Sequence, residues 1–245
     1  MFSSVSGIAE REPSGNRMCL FYPLCGDEFM SKVVAIDGPA GAGKSTVAKL
    51  LAARCGFTYV NTGSLYRAIA WAAAKSGVDV KELKEEFLSA LDLDYVDGVL
   101  LVNGVDPGSE LRTVSCAAGA SFVATLPFVR KFLLPVQRNA AEKGWIVMEG
   151  RDIGSVIFPD AAYKFFVTAS VEERARRRMA QNVNESLSFE EIKAAIAARD
   201  HQDSHRAEAP LCQAADAVLV DTSALSIEQV VEQLHDYIVQ NPREC

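Results

Sequence analysis

The stretch Gly38-Pro39-Ala40-Gly41-Ala42-Gly43-Lys44-Ser45, followed by Thr46, has the spacing G-x-x-x-x-G-K-[ST]. It comes directly after the apolar run Val33 to Ile36 and directly before a helical pattern from Ser45 to Arg54. In that context the glycines let successive backbone N–H groups turn toward phosphate oxygens, and the helix start adds positive potential. Lys44 can then reach the outer phosphates, and the Ser45 hydroxyl can hold Mg²⁺. The motif implies a nucleoside triphosphate but not what is done with it. No N-K-x-D guanine reader follows, and the third strand ends in Met148-Glu149-Gly150-Arg151-Asp152 rather than in the paired carboxylates of motor-type ATPases.

Transfer of a phosphoryl group between two anions needs several guanidiniums and a metal ion around the moving group. Arg174, Arg177 and Arg178 stand at i, i+3 and i+4, on one face of a helix ahead of the loosely patterned segment 182–186, as in a lid. Ile192, Ile196, Arg199, Asp203 and Arg206 continue a second helical stripe, on which Arg199 and Asp203 are also spaced to pair with each other. Ligands of open parallel sheets bind at the carboxyl ends of strands, where Thr62, Arg67, Arg151 and Asp152 fall. Ser121 and Arg130 lie in a helical stretch before the third strand.

The elements that would position these groups alternate. Strand-like runs at Val33–Ile36, Phe57–Val60, Trp145–Met148, Lys164–Val167 and Ala217–Val220 are separated by helical patterns at 45–54, 65–75, 129–143, 171–181, 189–202 and 227–239. This is an α/β chain with a central parallel five-stranded sheet flanked by helices. Capping boxes are expected at Ser170/Glu173 and Ser188/Glu191. One section breaks the rhythm: Leu91 to Val96 and Val99 to Val102 alternate around Asp97-Gly98, which implies a small antiparallel insert at about 81–112. The lid is expected at about 171–190. Residues 1–30 lack periodicity and are rich in Ser, Gly, Glu, Arg and Pro over 3–17, which implies a disordered extension before a domain at 31–245.

With 245 residues and 49% hydrophobic composition the chain can bury a full core. Its 25 basic and 32 acidic residues, net −7, argue against a nucleic-acid or membrane surface binder. Six scattered cysteines without a C-x-x-C pair argue against zinc and a disulfide framework, and for a reducing cytoplasm.

Together Ile36 to Thr46, Thr62-Gly63-Ser64-Leu65-Tyr66-Arg67, Glu149 to Gly154, Glu172 to Arg178, Arg199-Asp200-His201-Gln202-Asp203 and Ala209-Pro210-Leu211 resemble the bacterial cytidylate kinase family. The resemblance runs from about Lys32 to the C-terminal helix. It implies a P-loop nucleoside monophosphate kinase, monomeric and cytoplasmic, with a mobile lid and an acceptor-binding insert. Such an enzyme passes the γ-phosphoryl of ATP, with Mg²⁺, to CMP or dCMP. Ser121, Arg130 and Asp152 then stand as cytosine readers. Arg67 and Arg151 hold the acceptor phosphate near Thr62, while Arg199, Asp203 and Arg206 reach the acceptor ribose and the phosphates. Lys44, Arg151, Arg177 and Arg178 act on the transferred group, with Arg174 on the ATP side. Asn61 and Glu149 depart from the family, which often has Asp at both places, as does Gly108, where a hydroxyl residue is frequent. A P-loop kinase for another small acceptor such as UMP or AMP, and a nucleotide-binding module without turnover, are the rival readings.

Overall fold

A computed structural model of the chain describes residues 31–96, 98–181 and 187–243. The expected extension 1–30, Asp97 of the hairpin turn and residues 182–186 of the lid lie outside the described residues.

Five parallel strands run in the order β2-β5-β1-β6-β7: β1 Ser31–Asp37, β2 Thr58–Asn61, β5 Ile146–Glu149, β6 Ala161–Thr168 and β7 Val218–Asp221. The central strand is covered on both faces, and Val33 to Ile36 have no solvent exposure. A near-continuous apolar run is what a parallel strand buried on two sides requires. Because all five strands point one way, Asp37, Asn61, Glu149, Thr168 and Asp221 end along a single edge of the sheet.

The helices close the two faces. On one, α1 (Lys44–Cys55) and α8 (Ile227–Gln240) bury Val47, Leu51, Val230 and Leu234 against Val34, Ile36 and Phe165. Gly56 at φ +70° ends α1, its N–H donating to the Ala52 carbonyl, a left-handed cap open to glycine at little cost. On the other side, α2 (Thr62–Lys75), α4 (Val114–Val123) and α5 (Pro127–Asn139) share a core with the insert. The insert holds a short helix α3 (Glu85–Leu88) and the antiparallel pair β3 (Leu93–Val96) and β4 (Val99–Val102). Its leucines 83, 88, 93 and 100 pack on Leu65 and Ile69 of α2, so it is seated on the nucleotide core.

The segment expected to form the lid holds α6 (Val171–Gln181) and the start of α7 (Phe189–His205), and the two helices share a small core of Ala175, Ile192 and Ile196. The isoleucine stripe is buried, as its spacing implies. Ser188 and Glu191 form a complete capping box, and an unanticipated second one, Ser226 with Gln229, opens α8. At Ser170 only the hydroxyl half forms: Glu173 N–H donates to it, while the Glu173 carboxylate turns to Arg176 and Arg177, and Ser170 N–H donates to Ser223 Oγ. The helix expected to reach residue 143 ends at Asn139. Among the described residues Cys55 and Cys116 are free thiols.

Candidate active site

The phosphate loop follows β1 and opens α1. Gly38, at φ +145°, lies so close to β6 that a Cβ there would sit 1.9 Å from the Val167 carbonyl oxygen. Gly41 and Gly43 also take positive φ, 78° and 90°, which aims the loop's backbone inward. Lys44 is 4% exposed and donates from Nζ to the Pro39 carbonyl at 2.7 Å, so its ammonium is curled over the loop. Burial, reinforced by the nearby Arg151, pushes its pKa down to about 7 despite the opposing carboxylates of Glu149, Asp37 and Asp203.

Two of the lid arginines are spent on the loop itself. Arg174 is buried, donating to the carbonyls of Ala169 at 2.9 Å and Ala40 at 3.1 Å and pairing with Asp200 at 2.6 Å. Arg177 donates to Thr222 O at 2.6 Å, Thr222 Oγ1 at 3.0 Å, Glu173 at 3.1 Å and the Ala42 carbonyl at 3.5 Å. Buried Thr222, after β7, also donates to Thr168 O. These bonds latch α6 to the loop from outside. The sequence marks Arg174 and Arg177 and holds Asp200 within a family-like stretch without giving it a role, and nothing in it singled out Thr222.

Beside the loop, Arg67, Arg151, Arg178 and Arg199 face one another. Burial, followed by repulsion from Arg151, holds the Arg199 guanidinium below its usual range; Arg67 and Arg178 push the same way, against Asp203. Arg67 is lowered likewise, by burial and then by Arg178, and reaches only the Leu111 carbonyl at 3.3 Å. The Arg199–Asp203 pair permitted by helical spacing does not form. Asp203 accepts from Arg151 Nε at 2.8 Å instead, and Arg199 Nε is buried without a partner. Crowded guanidiniums with few carboxylates make a place for an anion. Thr62, buried at the start of α2, donates to the Glu149 carbonyl at 2.9 Å and ties that helix to the end of β5.

Deeper in, Asp152 is 5% exposed and paired from two sides, by Arg130 Nη2 at Oδ2 and by Arg206 Nη2 at 3.2 Å from Oδ1. Arg130 also donates to the Tyr66 hydroxyl at 3.1 Å, so Tyr66 helps to orient that guanidinium. Ser121 makes no hydrogen bond to this pair; its hydroxyl donates to Gln202 Oε1 at 3.3 Å, joining α4 to α7. A buried carboxylate held by two guanidiniums offers an acceptor for an amino group within a fixed frame.

Two of the three departures from the family, Asn61 and Glu149, meet through Tyr59. Tyr59 donates to Glu149 Oε1 at 2.9 Å, and Asn61 Nδ2 donates to the Tyr59 hydroxyl at 3.2 Å. An aspartate at 61 could still accept from Ser64 N–H, as Asn61 Oδ1 does, but it could not donate to Tyr59. Tyr59 also reaches Ser45, so Ser45, Tyr59 and Glu149 form one oxygen-rich corner at the start of α1. Among the described residues no group of three His, Cys, Asp or Glu side chains is placed to hold a metal. No single described helix is long and apolar enough to cross a membrane; the pair Val114–Val123 and Pro127–Asn139 passes only together and is bent by 102°.

The family model described as cytidylate kinase matches residues 34–240. The chain belongs to the cytidylate kinase family. A cytidylate kinase from Limosilactobacillus fermentum is 44% identical over 209 residues, 82% of this chain and 92% of that one. One from Pseudothermotoga lettingae is 42% identical over 206 residues, with the same coverage of each chain. Among solved structures, shikimate kinase from Bacteroides thetaiotaomicron aligns at 16% identity with a TM-score of 0.41, over 84% of this chain and 98% of that one. Membership of the cytidylate kinase family agrees with a parallel sheet, a phosphate loop after its central strand, and an antiparallel pair set beside α2.

Proposed function

We propose that the protein transfers the γ-phosphoryl of ATP to CMP or dCMP, giving ADP and CDP or dCDP. The observation that carries this reading is the sequence of charged places along one edge of the sheet: phosphate loop, guanidinium cluster, then the Arg130–Asp152–Arg206 set. The triphosphate lies on the loop with Lys44 turned from Pro39 toward it. Arg67 and Arg151 take the acceptor phosphate, one oxygen of which attacks the γ-phosphorus while the bond to the β-phosphate oxygen breaks. Arg178 and Arg199 neutralise charge around the moving group. Arg174 and Arg177 act by fixing the loop and α6, which their backbone contacts support.

Asp152 accepts from the exocyclic amine of cytosine. A uracil carbonyl in that position would face the carboxylate with no donor between them, which disfavours UMP. Ser121 and Arg130 complete the base site, and Asp203 and Arg206 border the ribose. Ser45 is the residue that would hold Mg²⁺, in a corner whose oxygen donors suit a hard cation. Magnesium supplies charge neutralisation across the phosphates. We read the enzyme as a monomer of the cytoplasm; that it binds neither nucleic acid nor membrane is supported by its net charge of −7, which offers polyanions no general attraction.

The test is ADP release with ATP and Mg²⁺, offering CMP, dCMP, UMP, AMP and GMP in parallel. Turnover with CMP or dCMP at a kcat/KM at least tenfold above the others is expected. Faster turnover with UMP or AMP, or none with any acceptor, would overturn the assignment.

A further inference from the structure

Asp37 is the last residue of β1 and immediately precedes Gly38, the first residue of the phosphate loop. It is 5% exposed, and its two carboxylate oxygens accept separate backbone bonds, Oδ1 from Ile153 N–H and Oδ2 from Gly154 N–H, each at 2.8 Å. Those amides open the π-helical turn Ile153–Ile157, directly after Arg151 and Asp152. More than a hundred residues separate Asp37 from them, so one side chain joins the strand that carries the donor loop to the turn that carries the acceptor groups. We infer that Asp37 is a positioning residue that sets the acceptor-binding turn, and with it Arg151 and Asp152, in register with the phosphate loop. The inference rests on the acceptor roles proposed above for those two residues.

Three features argue that this bond serves alignment rather than only closing a turn. A carboxylate is a costly group to bury there. Desolvation raises the Asp37 pKa to about 6, and the charge of Asp152 adds to it, while the two amides and Lys44 only partly offset the penalty. A neutral hydroxyl or amide would close a single turn at lower cost, but a carboxylate presents two acceptor oxygens, one to each of two adjacent N–H groups. Second, the phosphate loop does not depend on Asp37 for its own position. Strand pairing of Asp37 with Phe166 and the close approach of Gly38 to Val167 anchor it to β6. The turn itself is seated in the core by Ile153 and Ile157, and besides Asp37 its polar tie to β1 is the bond from Gly150 N–H to the Ile36 carbonyl at 3.0 Å. Third, the direction of transfer needs the acceptor oxygen in line with the γ-phosphorus, and small misplacements of a positioned reactant are expensive in rate.

The experiment pairs kinetics on D37N with amide exchange on the unaltered full chain. Asparagine keeps the volume and one acceptor but turns an N–H toward the other amide. D37N is expected to raise KM for CMP at least tenfold and to narrow the CMP-to-UMP ratio of kcat/KM, with KM for ATP within about twofold of the parent. D37E, one methylene longer in a closed space, is expected not to restore KM for CMP. Equal changes in both KM values, or an unchanged kcat/KM for CMP, would overturn the inference, because a general loss of structure moves both substrates together and an idle contact moves neither. If D37N does not fold, hydrogen exchange decides: the Ile153 and Gly154 amides should be protected in the ligand-free parent, and rapid exchange at both refutes the tie. Absence of CMP turnover by the parent would instead remove the acceptor assignment, leaving the exchange result to judge the Asp37 contact separately.

Discussion

Lys44 supplies a quantitative prediction, because its ligand-free environment holds its pKa at about 7 and a bound triphosphate reverses the cause. Phosphate oxygens around the ammonium favour its charged form and return the pKa toward the ordinary 10.5. At pH 8 a lysine with a pKa of about 7 is roughly one-tenth charged, and one near 10.5 is almost fully charged, so ATP binding takes up about 0.9 proton. The sign follows from a pKa raised on binding: uptake occurs between the two values, and affinity falls as pH rises through that window. Between pH 8 and pH 9 the association constant should drop about ninefold from this group alone. Calorimetric titration with ATP and no acceptor, in buffers of different ionisation enthalpy at pH 8, reads the proton number from the slope of heat against buffer enthalpy. The terminal phosphate, with a pKa of about 6, is already ionised there and adds little. A slope of zero, with an affinity unchanged from pH 8 to pH 9, would show that Lys44 is charged before ATP arrives and would refute the electrostatic account of the loop.

Arg177→Ala and Arg178→Ala should separate. Arg177 holds Thr222, Glu173 and Ala42, so its loss should lower Tm by several degrees as well as kcat; Arg178 is exposed and faces Arg67 and Arg199, so its loss should lower kcat by on the order of 10³ with Tm nearly unchanged. Asp152→Asn should remove the preference for cytidine over uridine nucleotides, and equal discrimination before and after would exclude Asp152 as the base reader. Tyr66→Phe deletes the hydroxyl that accepts from Arg130 while keeping the ring in the core, so it should reduce the CMP-to-UMP ratio several-fold with little loss of stability; an unchanged ratio would show that Asp152 alone fixes Arg130.

The architecture is legible because the apolar runs are short, bounded and followed by helical periods, so each strand boundary falls within a few residues of its place. The phosphate loop is legible because one backbone geometry demands glycine at fixed spacings. What was illegible depends on chain segments far apart. Arg199 and Asp203 lie one helical turn apart and read as a pair, but Arg151 arrives from β5 and takes the carboxylate. Glu173 reads as half of a capping box, but two arginines on its own helix compete for it more strongly. Asp37 is a polar residue closing an apolar strand, a pattern that marks a burial cost without revealing which amides meet it. Asp200, adjacent to the named Arg199, gave no local sign of its bond to Arg174 across the lid.

The arginines divide by what they already hold, and the division accounts for the site's economy. Arg174 and Arg177 have most of their donors directed at protein carbonyls, hydroxyls and carboxylates, which orients both guanidiniums before a ligand arrives. Arg199 has a buried Nε without a partner, and it and Arg67 are both discouraged from holding charge, first by burial and then by neighbouring guanidiniums. A dianion entering among them gains from groups that lack neutralisation, while the protein loses no existing ion pair there. Arg151 is intermediate: Asp203 fixes Nε and the Gly150 carbonyl accepts from Nη1, which orients the guanidinium before any ligand arrives. Preorganised donors of this kind act without reorganisation at the moment of transfer, when charge is spread over the moving phosphoryl. The same crowding explains why donor and acceptor phosphates, which repel each other, can be held side by side: each reduces the repulsion among cations that the other must also face. Binding of one should therefore favour charged Lys44 and Arg199 less strongly once the other is present, and the gain is largest for the first anion to enter.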